Sequence, residues 1–187
     1  MREAGDRELI QIVDAAMAEA ARKSGDWLVC KPGCAFCCMG LFAISPLDAM
    51  RLQRGLADLA ASDPERAGRV RERARVAVSR ITHAFPDGAI STILAGDFFD
   101  DEPCPVLDRE TSTCDLYASR PITCRTFGPP VRCGTESVGI CELCFDGASD
   151  EEIAACEVEV DPGGLESKLN HERHPGEPDT LIAFALA

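Results

Sequence analysis

A chain of 187 residues with 45% hydrophobic and 27% charged residues is long enough to bury a core, and this balance is that of a folded soluble protein. Its formal net charge of −13 opposes binding to nucleic acid and to anionic membranes, and no apolar stretch reaches the roughly eighteen residues that a bilayer span needs. Eleven cysteines, an odd number, follow a start (Met1-Arg-Glu-Ala-Gly-Asp-Arg-Glu8) without the apolar run of a secretory signal. This predicts a cytoplasmic protein with free thiols, where clustered cysteines read as metal or redox sites rather than as disulfides.

Aromatic residues are sparse at 5%, and small apolar residues and helix formers dominate, which predicts a mainly α fold: one helical domain over residues 1–187 with an irregular Cys-rich metal-binding segment. Leu9, Val13, Ala16, Met17 and Ala20 recur at helical spacing and predict a helix over residues 6–23, stopped by Gly25. Residues 30–40, with Pro32, Gly33 and Gly40, form a cysteine loop. Ser45-Pro46-Leu47-Asp48 starts a second helix to about Leu59, with Ser45 as N-cap, Pro46 at the first position and Asp48 at the positive helix end. Ser62-Asp63-Pro64 repeats that signal for a third helix to about Ala84.

Residues 88–99 read as a short helix and a loop. Residues 100–144 are rich in Pro, Gly and Cys and lack periodicity, so a bound metal is expected to order them. Ser149-Asp-Glu-Glu152 is a capping box for a helix through Cys156 and Val160, broken by Pro162-Gly-Gly164. One or two short helices finish the chain, and the apolar tail over 181–187 reads as a docked helix end.

Chemistry concentrates in the thiols. Cys30-Lys-Pro-Gly-Cys34-Ala-Phe-Cys37-Cys38 places four in nine residues, and Cys104, Cys114 and Cys124 follow at even spacing. Soft sulfur donors held close by short loops suit zinc or an iron–sulfur cluster. The expected metal ligands are Cys34, Cys37, Cys38, Cys104, Cys114 and Cys124, with Cys30 joining across the Pro-Gly turn. Adjacent side chains in a loop diverge, so Cys37 and Cys38 are expected to serve different partners. Seven thiols exceed the four that one zinc or one cubane needs, which leaves one site or two open. Cys133, Cys141 and Cys144 form a second, weaker set with ligand spacing in Cys141-x-x-Cys144, and Cys156 reads as core.

Arg120 and Arg125 flank Cys124 and are expected to bind the cofactor by stabilising a negatively charged polythiolate, the alternative being ion pairs with the acidic stretch 97–102. Tyr117 reads as core, His171 and His174 as surface. The arginines of the third helix, Arg66, Arg69, Arg71, Arg73, Arg75 and Arg80, read as a solvated face. No phosphate loop, dinucleotide fingerprint or serine-nucleophile motif occurs.

Cys34-x-x-Cys37-Cys38, Cys104-Pro-Val-Leu107, Cys114-Asp-Leu-Tyr117, Arg120-Pro121 and Cys124-Arg-Thr-Phe127 occur in that order. Over residues 27–128 the chain thereby resembles the cysteine-cluster family of zinc- or iron-chelating proteins. That family's Cys-x-x-Cys-x-x-Cys-Cys signature is followed by Cys-Pro-x-Leu, Cys-x-Ile/Leu-Tyr, Arg-Pro and Cys-Arg-x-Phe. The resemblance implies metal chelation in a mostly helical fold. The chain departs from the pattern at its first gap, which is three residues between Cys30 and Cys34 instead of two. The cluster is also similar to that of flagellin lysine methylases, which are larger. Cys30-x3-Cys34-x2-Cys37 matches radical S-adenosylmethionine enzymes too, but the chain lacks their alternating strand–helix pattern.

Three functions follow as expectations. The first is a cysteine-ligated iron–sulfur cluster or Zn2+ acting as a redox or protein-modifying centre. The second is a structural zinc scaffold presented to a protein partner. The third is a metal-trafficking or thiol-redox protein.

Overall fold

The computed structural model describes residues 2–187 except Pro32, Asp87, Gly96 and Thr135. In chain order the elements are α1 (Arg2–Ser24), β1 (Ala43–Ile44), α2 (Pro46–Ser62), α3 (Pro64–Ala84), α4 (Ile90–Ile93), β2 (Leu107–Asp108), β3 (Thr113–Cys114), α5 (Ile122–Thr126), β4 (Val131–Cys133), β5 (Glu136–Val138), α6 (Asp150–Cys156), β6 (Val158–Glu159), α7 (Leu165–Arg173), β7 (Thr180–Leu181) and α8 (Ile182–Leu186). The fold is mainly α, and its strands are two or three residues long.

Local chemistry sets the helix starts. The Ser45 hydroxyl accepts from the Asp48 amide at 3.2 Å, and the Asp63 carboxylate accepts from the Arg66 amide at 3.0 Å. Each cap is followed by a proline at the first helical position, where no amide hydrogen is needed. The capping box of α6 is complete: the Ser149 amide donates to Glu152 at 2.8 Å and the Glu152 amide donates to the Ser149 hydroxyl at 3.3 Å.

The chain folds into two compact units, one of Met1–Lys31 and Ile122–Pro175, the other of Pro32–Pro121 and Gly176–Ala187. In the second, α2, α3 and α8 pack together. The buried stripe of α3 is Ala67, Val70, Ala74, Ala77 and Ile81, alternating three- and four-residue steps, and its alanines let neighbouring helices approach closely. Leu47, Leu52 and Leu56 of α2 and Ile182, Ala183 and Leu186 of α8 complete the core. Each fully buried leucine contributes about 2 kcal/mol of apolar burial. The apolar tail is thus a docked helix end, as its composition predicts. β7 pairs antiparallel with β1, Ala43 opposite Leu181.

In the first unit α1 buries Leu9, Val13 and Ala20 and packs on α5, α6, α7 and β6. Beside it lies a three-stranded sheet in the order β5-β4-β6, with β4 antiparallel to β5 and parallel to β6.

One predicted boundary is overturned: α6 ends at Cys156 and does not reach Val160. The Val158 amide donates to Pro130 O at 3.3 Å and the Val160 amide to Arg132 O at 2.8 Å, so the chain leaves the helix for strand β6, which begins at the β-branched Val158. Residues 100–144, expected to be irregular, contain a small hairpin, α5 and two sheet strands.

Candidate metal centre

The site begins with α3. Arg66, Arg73 and Arg80 recur every seven residues and share one helix face. Arg66 Nε donates to Asp115 Oδ1 at 2.5 Å, Arg73 binds the other carboxylate oxygen, and the Asp115 side chain is only 1% exposed. Arg73 Nε also donates to Pro105 O at 2.8 Å, and Arg80 pairs at 2.9 Å with the buried Glu102. These three arginines, read from the alternating charges as a solvated face, are partly solvated and also clamp residues 102–115. Within the stretch expected to be ordered by a bound metal, residues 102–115 are held by these ion pairs.

The backbone then sutures two cysteine stretches that lie far apart in sequence. The Cys104 amide donates to Cys38 O at 2.8 Å and the Gly40 amide to Glu102 O at 2.9 Å, with Met39 opposite Pro103 in an antiparallel bridge. The β2–β3 hairpin sets Leu107 opposite Cys114. Phe36–Cys38 forms a single 3-10 turn, closed by the Cys38 amide on Ala35 O at 2.9 Å. Cys37 and Cys38 are neighbours within that turn, and Cys38 is the largest influence on the Cys37 thiol.

The electrostatics report the same gathering. The hydrogen bond with Cys38, then burial, pushes the Cys37 thiol far above its usual range. Burial pushes Cys104 up to about 12, with Cys114 and Cys37 adding to the rise, and burial raises Cys114 as well. The Arg120 guanidinium acts the other way on both Cys37 and Cys114, and Arg73 does so on Cys104. Cys37 thus acts on both Cys104 and Cys114, and Cys114 on Cys104, so these three are held as neutral thiols. A soft cation held there would reverse that preference by stabilising the thiolates.

Among the described residues, no three Cys, His, Asp or Glu side chains already form a coordination sphere, so the closeness of these thiols is pairwise. The donor chemistry fits a thiophilic metal. Asp115 and Glu102, the buried carboxylates of this segment, are committed to arginines, which leaves sulfur as the donor.

Arg120 lies 3.6 Å above the Tyr117 ring and its Nε donates to Tyr117 O at 3.0 Å. Tyr117 is 63% exposed, which corrects its reading as a core residue. Cys34 is half-buried in the same unit. Cys30 and Cys124 belong to the other unit: Cys124 is half-buried on α5, and the exposed Cys30 has its sulfur 4.0 Å from that of Cys144. Arg125, also on α5, is buried and donates to Asp14 of α1 at 2.8 Å. Cys133 is exposed, whereas Cys141 and Cys144 are buried. Cys156 is core, as expected, its thiol donating to Lys23 O at 3.3 Å.

Sequence reasoning missed the Asp115 clamp and the Cys30–Cys144 contact. The seven-residue recurrence of Arg66, Arg73 and Arg80 was the available signal for the first. The spacing of Cys141-x-x-Cys144 pointed toward the second.

Residues 29–144 match the CxxCxxCC family model, described as a "putative zinc- or iron-chelating domain". The chain belongs to this family. No curated protein and no solved structure matches it. The CxxCxxCC match spans every cysteine except Cys156. It supports metal binding, as the resemblance implied. No helix among the described residues is long and apolar enough to cross a membrane.

Proposed function

We propose that this protein holds zinc or an iron–sulfur cluster on Cys37, Cys38, Cys104 and Cys114, with Cys34 one Cys-x-x-Cys turn before Cys37, as a working centre. The observation that carries the reading is the hydrogen bond from the Cys104 amide to Cys38 O, which joins the two thiol stretches. Four thiols are what one zinc or one cubane requires, so the set is complete without Cys30 and Cys124 of the other unit. Arg120 serves the centre by offsetting its negative charge, and the exposed Phe36 and Tyr117 give a protein partner or a substrate a surface beside it.

The arginine clamp favours a working centre over a structural zinc scaffold. Residues 102–115 are already fixed by Asp115, Glu102 and the Cys38–Cys104 bond, so a metal is not needed to hold them. Residues 1–187 act as one domain in this reading, because the chain passes between the two units three times and neither is a continuous segment. Eleven free thiols suit the cytoplasm, with a metal or cluster and a protein as partners, and no nucleic acid or membrane.

Strictly anaerobic purification with metal and sulfide analysis tests this. A brown protein with iron and sulfide, or a colourless one with tightly held zinc, supports the centre, and removal of the metal is expected to leave the helical circular dichroism intact. Metal-free protein under those conditions, unable to take up either ion, overturns it. Unfolding on metal removal would return the account to a scaffold.

A further inference from the structure

The first unit holds a close pair of thiols, Cys30 and Cys144, whose sulfurs lie 4.0 Å apart across 114 residues of sequence. Local structure fixes both ends. Cys144 closes a turn through its own amide on Cys141 O at 2.8 Å. The next residue, Phe145, has φ +59°, a left-handed conformation that bulky side chains enter only under tertiary constraint. The constraint is Trp27: the Phe145 amide donates to Trp27 O at 3.2 Å, and the two rings stack with centroids 6.1 Å apart. The stack ties the Cys144 turn to the segment that ends in Cys30.

The two thiols differ in access. Cys30 is exposed, whereas Cys144 is buried in an apolar cluster with Phe145, Phe127 and Ile140. Val29 and Leu143, each next in sequence to one of the pair, are exposed, so the approach is open. An exposed thiol in contact with a buried one suits an attacking and a resolving cysteine: the first meets a reagent from solvent, and the second meets only the first. A disulfide needs sulfurs about 2.05 Å apart, so the pair must close by about 2 Å. The exposed Cys30 is the partner with room to turn. Gly128 flanks it, with φ +128° and space for a Cβ only at 3.4 Å from the Cys30 sulfur.

We propose that Cys30 and Cys144 form a thiol–disulfide exchange site whose substrate class is a low-molecular-weight disulfide. The Cys30 thiolate attacks one substrate sulfur. The substrate S–S bond breaks, a mixed disulfide forms on Cys30, and the first substrate thiolate leaves and takes up the proton that Cys30 gave to solvent. The Cys144 thiol then loses its proton and attacks the Cys30 sulfur, which forms the Cys30–Cys144 bond and releases the second substrate thiol. Two protein thiols are oxidised to one disulfide while the substrate disulfide is reduced to two thiols. The four cysteines of the proposed metal centre lie in the other unit and take no part.

The test incubates reduced full-length protein, purified anaerobically with whatever metal it holds, with glutathione disulfide, and reads intact mass and tandem mass spectra of chymotryptic peptides. The first disulfide formed is expected to join the peptides of Cys30 and Cys144 and to be reversed by dithiothreitol. Cys144→Ser is expected to stop with one glutathione bound on Cys30. Cys30→Ser, a change at an exposed position whose fold circular dichroism checks, is expected to lose the link. A mixed disulfide that persists in the unaltered chain, a first bond between other cysteines (Cys141 and Cys144 included), or thiols at 30 and 144 that do not react overturns the proposal. Metal content in Cys104→Ser tests the four-thiol reading separately, and neither result decides the other.

Discussion

Residues 102–115 carry Cys104 and Cys114 on a segment clamped by arginines of α3, whereas residues 141–145 carry Cys141 and Cys144 on a turn clamped by an aromatic stack on Trp27. The ionic clamp is directional and partly wet, since the Arg66 and Arg73 side chains are 36% and 29% exposed, while the carboxylate between them is buried. The aromatic clamp gains from apolar burial and carries no net charge. Two kinds of attachment thus position thiols in one chain, and salt distinguishes them: screening weakens exposed charge pairs and leaves apolar burial nearly untouched.

The largest effect expected is on metal. Cys104→Ser removes a buried donor of the four-thiol centre and should weaken its affinity by more than about a hundredfold, since even an outer contact to a metal ligand is worth 10–100-fold. Competition against a chromophoric chelator measures this, and an unchanged affinity contradicts the assignment. The sign of the pH dependence follows from the raised thiols. Cys37, Cys104 and Cys114 are protonated in the metal-free protein and must lose protons on binding, so affinity climbs as pH rises toward their shifted values. An affinity flat between pH 6 and pH 8 contradicts that.

Next come the two clamps. Phe145→Ala deletes the ring stacked on Trp27 and should cost about 3 kcal/mol in urea unfolding, by a similar amount at low and high salt. Asp115→Ala should cost about 2 kcal/mol, less than a fully buried pair because water reaches both guanidinium groups, and the loss should shrink at high salt. Equal salt responses would erase the contrast between the regions.

Smaller effects sharpen it. Gly55→Ala ordinarily favours a helix, but here the new Cβ would lie 2.2 Å from Ser119 Oγ, beside Arg120, so a net loss of about 1–2 kcal/mol is expected, relieved by adding Ser119→Gly. Ser149→Ala in the other unit should cost about 1 kcal/mol through the lost cap, with no change in metal content.

What could be read from the chain alone was what is local. Ser45-Pro46, Asp63-Pro64 and Ser149 with Glu152 cap helices within four residues of themselves, so their roles needed no tertiary information. The cysteine motifs were equally visible as spacing. Arg66 and Arg73 find Asp115 across 49 and 42 residues, and their seven-residue recurrence marks a shared helix face without naming the partner. Val158 belongs to a strand, and the Val160 amide bonds to Arg132, only because β4 is there to receive them, and the 3-10 turn that holds Cys37 and Cys38 is one that composition does not announce.

X-ray absorption at the metal edge, on anaerobically purified protein before and after Cys104→Ser, bears most directly on the four-thiol centre. The account predicts a shell dominated by sulfur at about 2.3 Å, with metal per chain falling in the variant. A shell of oxygen and nitrogen donors, or the same sulfur count and metal content in Cys104→Ser, would contradict it.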